Sequence, residues 1–284
     1  MVVAERISDV RREVAAARER GRRVALVPTM GALHAGHASL LAAARADGGC
    51  VVASIFINPT QFGPGEDFTK YPRPLDRDLA ACAREGVDLV FTPTADEMYP
   101  SGFATTIRVT GMSEKMCGAF RPGHFDGVCT VVAKLLVIVR PDVAYFGEKD
   151  AQQLAIVRRM VADLNLPVEI RGCPLIREPD GLALSSRNVH LSPAEHRQAL
   201  ALSAALAEAR EVLLAAERDA ARLGARVRGR LAAAEGVDLQ YVAVVDPDTL
   251  DDLARIGRQV LVAVAAKVGT TRLIDNVLLR GLTA

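Results

Sequence analysis

The chain has 284 residues, of which 50% are hydrophobic, and its formal net charge is +1 at pH 7. A chain of this length and apolar content can bury a sizeable core, in one large or two medium domains. The near balance of charge gives no reason to expect nucleic acid or an anionic membrane as a partner, so any recognition of anions must be local.

The N-terminal segment MVVAERISDVRREV (1–14) carries charged residues where a signal peptide needs an apolar core. The most apolar run, VVAKLLVIV (131–139), is short and interrupted by Lys134. We therefore predict a cytoplasmic protein that does not bind membranes. The five cysteines are odd in number and lack C-x-x-C spacing, which predicts reduced thiols and no zinc site.

Apolar runs without polar alternation predict strands that are buried on both faces. In chain order they are RVALVPT (23–29), CVVASIFIN (50–58), VDLVFTP (87–93), DVAYFG (142–147) and VEIRGCPLI (168–176). Segments with helical periodicity lie between them, at 37–48, 75–86, 123–141 and 150–165. This alternation predicts an α/β fold with a Rossmann-like doubly wound parallel sheet over residues 1–176, whose ligands bind beyond the carboxyl ends of the strands.

The character of the sequence changes after residue 176. REPDGLALSSRN (177–188) is rich in turn residues, and the Ala-rich segment 192–231, which is charged on one face, is strongly helical in character. LQYVAVVDP (239–247) and QVLVAVAAKVG (259–269) predict two strands. We expect residues 177–284 to form a second, smaller α/β domain, with a mobile SSR loop (185–187) at the joint.

The segment VPTMGALHAGHASLL (27–41) joins the first predicted strand to a helix. Its glycine spacing is like that of a P-loop, but His37 stands at the lysine position and Ala38 at the magnesium-binding hydroxyl position, which argues against a Walker A site. A glycine-bearing turn into a helix still lets backbone N–H groups approach an anion. His34 and His37 can lie on one side of this turn and donate hydrogen bonds to phosphate oxygens.

Two other interpretations of the histidine pair remain open on these residues alone. The pair could bind a metal ion, although no third His or Cys lies nearby in the sequence. It could also be structural and cap the helix or satisfy buried backbone groups.

Longer segments carry a resemblance to a known family. TMGALHAGH (29–37) resembles the H-x-G-H signature of the nucleotidyltransferase superfamily that includes class I aminoacyl-tRNA synthetases. The segments 54–73, 123–136, YFGEKDAQQL (145–154) and DGLALSSRN (180–188) together resemble the pantothenate synthetase family, whose members are ligases that join pantoate to β-alanine with ATP. The match runs in order through most of the first 190 residues.

This resemblance implies a reaction in two steps. ATP with Mg²⁺ and pantoate would give pantoyl adenylate and pyrophosphate, and β-alanine would then displace AMP to form pantothenate. It also implies a homodimer with small-molecule substrates, and no nucleic acid partner. Two rival functions use the same turn: another nucleotidyltransferase that stops after transferring a nucleotide, and a nucleotide sensor without catalysis. Gln61 and Gln153 argue against the first rival, and the full set of candidate phosphate contacts argues against the second.

The resemblance also implies roles for particular residues. The catalytic residues would be His34, His37, Lys149 and Arg187, and pantoate would be bound by Met30, Asn58, Gln61 and Gln153. The ATP-binding residues would be Pro28, Thr29, Met30, Gly31, His34, Gly36, His37, Gly147, Lys149, Asp150, Ile176, Leu184, Ser185, Ser186 and Arg187.

Three of these assignments have a local physical argument. Lys149 follows a predicted strand end and offers a point charge to phosphate, although a surface salt bridge with Glu148 would also explain it. Arg187 lies in the loop that reads M-S-S-R in the family, and a capping turn is the alternative. Leu184 stands in place of the family's Met and keeps its apolar volume, so contact with the nucleotide should survive.

Overall fold

The computed structural model describes residues 1–282 of the chain. It divides the chain into two compact units. The first unit contains Met1–Glu114, Gly118–Glu148 and Ile156–Pro174. The second contains the two short segments Lys115–Cys117 and Lys149–Ala155, together with the chain from Leu175 onward.

The elements up to residue 174 alternate between strands and helices. They are β1 (Val2–Ala4), α1 (Ile7–Glu19), β2 (Val24–Thr29), α2 (Ala35–Ala46), β3 (Cys50–Ile55), α3 (Leu75–Arg84), β4 (Leu89–Phe91), α4 (Ala95–Met98), α5 (Cys117–Phe120), α6 (His124–Val139), β5 (Val143–Gly147), α7 (Ala151–Asp163) and β6 (Glu169–Cys173). The six strands form one sheet in the order β1-β4-β3-β2-β5-β6, and all neighbouring strands are parallel. The predicted Rossmann-like doubly wound sheet is confirmed.

Both faces of this sheet are covered, which explains why its strands are apolar without alternation. Ala25 and Val27 of β2 belong to a buried cluster with Leu41 and Ala44 of α2. Leu26 is equally buried, and because successive strand residues point to opposite faces it lies on the other side of the sheet. There α1 and α6 pack against each other and against the strands.

The strand order places three connecting segments at one edge of the sheet. β2 has β3 on one side and β5 on the other, so the topological switch point lies between β2 and β5. The carboxyl end of β3 leads to the 3₁₀ turn Pro59–Gln61, that of β2 to the H-x-G-H segment, and that of β5 to the 3₁₀ turn Glu148–Asp150. These are the segments for which the sequence predicts ligand binding.

The second unit has two helices on a three-stranded sheet. Its elements are α8 (Pro193–Leu214), α9 (Ala220–Ala232), β7 (Val237–Val245), β8 (Gln259–Val268) and β9 (Thr271–Arg280), with the strands antiparallel in the order β7-β8-β9. One apolar cluster joins the helices to the sheet and includes Leu206, Leu223 and Val262.

The segment 192–231 is helical, as predicted, but it forms two helices. α8 ends at Leu214, Ala216 adopts a positive φ of 72°, and Asp219 caps α9 by accepting a hydrogen bond from the backbone N–H of Arg222. Alanine-rich sequence favours a helix on both sides of the break, so propensity alone does not reveal it.

Two further observations concern the whole described chain. All five cysteines are free and buried. Among residues 1–282, the structure contains no helix with both the length and the apolar character that crossing a bilayer requires.

Candidate active site

The two histidines of the H-x-G-H segment lie at the N-terminus of α2. His34 is the N-cap and His37 the third helical residue, and their ring centroids are 4.1 Å apart. The backbone N–H of Gly36 donates to Nδ1 of His34 at 3.1 Å, and the backbone N–H of His34 donates to Nδ1 of His37 at 3.3 Å. The pair therefore forms a reciprocal capping box, which is the structural role considered from the sequence.

Capping also fixes the tautomer of each ring. A backbone N–H can only donate, so each Nδ1 must accept and carries no proton. In the neutral ring the proton then belongs to Nε2, on the opposite edge of the imidazole. The two histidines can thus cap the helix with one nitrogen and donate a hydrogen bond to an anion with the other.

Gly36 makes this arrangement possible. A Cβ atom built on Gly36 would lie 2.9 Å from Cε1 and 3.0 Å from Nδ1 of His34. Any other residue would push the His34 ring away from the helix terminus. The glycine of H-x-G-H is therefore required for close approach of the imidazole to the backbone.

Asp78 of α3 holds the turn that precedes His34. Its carboxylate is 1% exposed and accepts hydrogen bonds from the backbone N–H groups of Ala32 at 2.8 Å and Leu33 at 2.7 Å. Ala32 has a positive φ of 50°, which is uncommon for a residue with a side chain. Asp78 cannot be recognised from the sequence, because a lone aspartate in the first turn of a charged helix gives no signal.

The residues proposed to bind pantoate in the first unit are hydrogen-bonded to one another. Nδ2 of Asn58 donates to Oε1 of Gln61 and to the carbonyl oxygen of Gly127, at 3.0 Å in each case. Nε2 of Gln61 lies 3.0 Å from Sδ of Met30. The structure thus brings Met30, Asn58 and Gln61 together.

The orientation of the Gln61 amide follows from neighbouring backbone groups that can act only as a hydrogen-bond donor or only as an acceptor. The carbonyl of Gly127 can only accept and the backbone N–H of Thr60, 3.3 Å from Oδ1 of Asn58, can only donate, so the Asn58 amide has one allowed orientation. Asn58 then donates to Oε1 of Gln61, and the NH₂ group of Gln61 must point away from Asn58. One N–H of this group is directed at Sδ of Met30, and the other can be offered to a ligand.

Tyr99 supports this orientation, although no motif in the sequence marks it. Its hydroxyl donates to Oδ1 of Asn58 at 2.8 Å, and burial raises the pKa of Tyr99, so the hydroxyl keeps its proton at neutral pH. Lys134 places its ammonium 5.7 Å from the centroid of the Tyr99 ring.

We expect Tyr99→Phe to raise the KM for pantoate by roughly fivefold to tenfold, which corresponds to the net free energy of about one hydrogen bond. The KM for ATP should stay unchanged. Steady-state kinetics with each substrate varied would measure this. Tyr145→Phe is the matched control, because the Tyr145 hydroxyl bonds Asp47 and not Asn58. Equal effects of the two substitutions on the pantoate KM would rule out the role of Tyr99.

Arg121 and His124 contact the same segment from α6 and the turn before it. Nδ1 of His124 is 2.8 Å from the carbonyl oxygen of Gln61 and therefore carries a proton. Arg121 pairs with Glu66 at 2.5 Å. Burial acts to raise the pKa of Glu66, but the hydrogen bonds and charge of Arg121 outweigh it and lower that pKa.

In the second unit, the residues that follow β5 form a half-buried turn. Gly147 ends β5, and Lys149 lies in the 3₁₀ turn Glu148–Asp150. The ammonium of Lys149 is 3.8 Å from Oδ2 of Asp150. Its ion-pair partner is thus the following residue, where the sequence analysis had considered Glu148.

Two adjacent glutamines begin α7 and differ in role. Gln152 is buried, and its amide accepts from the N–H of Cys117 at 3.0 Å and donates to the carbonyl of Lys115 at 2.8 Å. These bonds hold the short segment Lys115–Cys117 against α7. Gln153, proposed to bind pantoate, is half-buried in the first turn of the helix.

The remaining candidates lie around the hairpin 177–183. The backbone N–H of Leu184 donates to the carbonyl of Ile176 at 3.0 Å, so these two residues close the hairpin. Ser185 caps the 3₁₀ turn Ser186–His190 by accepting from the N–H of Arg187 at 3.3 Å. Ser192 caps α8 and forms a capping box with Glu195. Ser185, Ser186 and Arg187 are all half-buried.

One group of three potential metal ligands occurs within residues 1–282, namely Glu178, Asp180 and His196. Nε2 of His196 is 2.7 Å from Oδ2 of Asp180, and this hydrogen bond lowers the pKa of Asp180. The contact accounts for the group without an ion.

Comparison with known proteins decides which family this site belongs to. Residues 2–278 match the family model described as pantoate-beta-alanine ligase. The chain belongs to the pantoate-β-alanine ligase family. It is therefore a ligase of pantothenate synthesis, as the resemblance implied.

Individual relatives cover nearly the whole chain. The pantothenate synthetase of Thermoanaerobacter sp. (strain X514) is 53% identical over 278 residues, 98% of each chain. The crystal structure of pantothenate synthetase from Thermus thermophilus has a TM-score of 0.92 at 47% identity, covering 98% of this chain and 99% of that one. A ligase from Francisella tularensis, complexed with β,γ-ATP and β-alanine, has a TM-score of 0.77 at 33% identity, covering 98% and 97%.

Proposed function

We propose that the chain joins pantoate to β-alanine through a pantoyl-adenylate intermediate. The observation that carries the proposal is the paired His34 and His37 at the N-terminus of α2, with each Nδ1 bonded to backbone. Two protonated Nε2 atoms and a positive helix terminus at the carboxyl edge of a parallel sheet suit a triphosphate.

In the first step a pantoate carboxylate oxygen attacks the α-phosphorus of ATP. The bond from the α-phosphorus to the bridging oxygen breaks, and pyrophosphate leaves with the electron pair. His34 and His37 donate hydrogen bonds to phosphate oxygens, and Lys149 and Arg187 neutralise charge on the leaving group. Catalysis rests on positioning and electrostatics, since this displacement needs no enzyme nucleophile.

In the second step the free amine of β-alanine attacks the acyl carbon of the adenylate. The bond from this carbon to the phosphate oxygen breaks, AMP leaves, and the amine nitrogen loses a proton to give the amide. Gln61 holds pantoate through its NH₂ group, with Met30, Asn58 and Gln153 as further contacts. The fixed orientation of the Gln61 amide supports this, because a carboxylate or hydroxyl oxygen can accept from it.

The other ATP contacts are proposed from the segments in which they lie. Main-chain and apolar contacts would come from Pro28, Thr29, Met30, Gly31, Gly36, Gly147, Ile176, Leu184, Ser185 and Ser186. Mg²⁺ would enter with ATP and neutralise phosphate charge when bound. Asp150 is the candidate protein ligand among the two carboxylates of the Gly147–Asp150 segment, and a cation held mainly by phosphates and water needs few protein ligands.

The proposal also includes a homodimer and a cytoplasmic location. Both rest on the family to which the chain belongs. Light scattering of the purified protein would measure the oligomeric state.

The first experiment separates the two steps of the reaction. We expect exchange of labelled pyrophosphate into ATP to need only pantoate and Mg²⁺, and sustained AMP release to need β-alanine as well. Exchange that requires β-alanine would exclude a free adenylate intermediate. Folded, ATP-binding protein that gives neither signal would favour a nucleotide sensor.

A further inference from the structure

The edge strand β9 of the second unit buries two consecutive polar residues. Asp275 is 3% exposed and Asn276 is 7% exposed. Successive side chains of a strand point to opposite faces, so the two residues serve different neighbours. Buried polar groups need hydrogen-bond partners, and both partners here lie in segments proposed to bind ATP.

Asn276 holds the main chain at Lys149. Its Nδ2 donates to the backbone carbonyl oxygen of Lys149 at 2.9 Å. Lys149 lies in a single 3₁₀ turn after β5, and a turn this short has few internal hydrogen bonds to fix it. The bond from β9 therefore fixes the point from which the Lys149 side chain extends.

Asp275 holds the hairpin that carries Ile176 and Leu184. Its carboxylate accepts two hydrogen bonds from the Arg177 guanidinium, at 2.7 and 2.9 Å, and Arg177 also donates to the carbonyl of Gly181 at 3.0 Å. Burial raises the pKa of Asp275, and the charge of Arg177 opposes that shift. A bidentate pair of this kind fixes direction as well as distance.

We propose that Asp275 and Asn276 are positioning residues for adenylate formation: Asn276 sets the main chain of Lys149, and Asp275 sets the hairpin that ends at Ile176 and Leu184. The inference rests on the proposed function. It gives the C-terminal strand a part in the reaction that its sequence does not reveal, because neither residue lies in a recognisable motif.

Asn276→Ala tests the first half of this proposal. We expect pantoate-dependent pyrophosphate exchange to fall by about tenfold to a hundredfold, the cost of a misplaced catalytic group. The reaction of preformed pantoyl adenylate with β-alanine should stay within about twofold of the wild type, because pyrophosphate has already left. An equal loss in both half-reactions, in protein that circular dichroism shows to be folded, would overturn the inference.

A double-mutant comparison shows whether Asn276 acts through Lys149. In a Lys149→Ala background, adding Asn276→Ala should change the exchange rate by less than about twofold, since the group being positioned is absent. Additive losses would overturn the proposal. Asn276→Leu, which has the same branching at Cγ and no donor, replaces Asn276→Ala if that variant does not fold.

Two more variants complete the design. Gln259→Ala on β8 removes contacts to Asp246 and Asp248, in the turn that follows β7, and should leave exchange unchanged. Asp275→Asn should raise the KM for ATP several-fold, and an unchanged KM would overturn the second half of the proposal. The wild type is measured first: if it shows no exchange the proposed function fails, whereas an active wild type with unaffected variants refutes only this inference.

Discussion

His37→Ala should slow pantoate-dependent pyrophosphate exchange by on the order of a hundredfold or more. This is the typical cost of removing one positioned donor that stabilises charge in a transition state. The protonated Nε2 of His37 is that donor in the proposed reaction, so the loss should appear in the rate of adenylate formation. Rapid quench of a single turnover with ATP and pantoate would measure it.

The capping role of His37 has to be separated from this chemical role. Nδ1 of His37 accepts from the backbone N–H of His34, so His37→Ala also loses a cap and about 1 kcal/mol of stability. His37→Asn can place an amide oxygen near the position of Nδ1 and keep the cap, but it has no group at Nε2. We expect it to be nearly as stable as the wild type and nearly as slow as His37→Ala.

His37→Gln supplies the complementary variant, because its amide reaches the position of Nε2. It should recover part of the rate at the expense of the cap. Denaturant unfolding and the single-turnover rate, measured on all three variants, distinguish the two roles. If His37→Asn were as fast as the wild type, capping alone would explain the histidine.

The elements that could be predicted are those whose signal is local. The five apolar runs of the parallel sheet were found because strands covered on both faces need no polar residues. β1 was missed because it is three residues long and mostly exposed at the sheet edge. β9 was missed because TRLIDNVLLR (271–280) mixes charged and apolar residues, and its buried Asp275 and Asn276 read as surface positions.

In the candidate site, too, the residues that could be predicted are those that belong to a local motif. His34 and His37 stand in one short motif, and the structure gives them the neighbouring positions that their spacing predicts. Asp78, Tyr99 and Asn276 support the predicted residues from distant parts of the chain, 41 to 127 residues away along the sequence. Such partners depend on the tertiary fold, so a single sequence gives no means of pairing them.

Asp78→Ala should lower the free energy of unfolding by roughly 2–5 kcal/mol. It would remove the carboxylate to which the backbone N–H groups of half-buried Ala32 and buried Leu33 donate, at about 1–3 kcal/mol each. Asp78→Asn keeps one acceptor but turns a donor toward the other N–H, so its loss should be of similar size. Urea unfolding followed by circular dichroism would measure both.

The same substitutions should slow adenylate formation even at temperatures well below the melting temperature, where the variants are folded. The reason is that the turn that Asp78 holds leads directly to His34. Gly31 adds to this dependence: it has a positive φ of 80°, and a Cβ on it would lie 2.9 Å from Oδ2 of Asp78. The Asp78 carboxylate therefore fits only against the backbone conformation of Gly31 and Ala32. A change at Asp78 should displace this backbone, which positions the His34 cap.

Asp76→Ala is the matched control for this effect. Asp76 lies in the same first turn of α3 but is exposed, so its loss should cost only the interaction of one surface charge with the helix terminus, about 0.3–1 kcal/mol. If Asp78→Ala were as stable as Asp76→Ala and exchanged pyrophosphate at the wild-type rate, Asp78 would have no part in shaping the H-x-G-H turn. A loss of stability in Asp78→Ala with normal exchange would limit its part to folding, because the folded fraction would still present both histidines correctly.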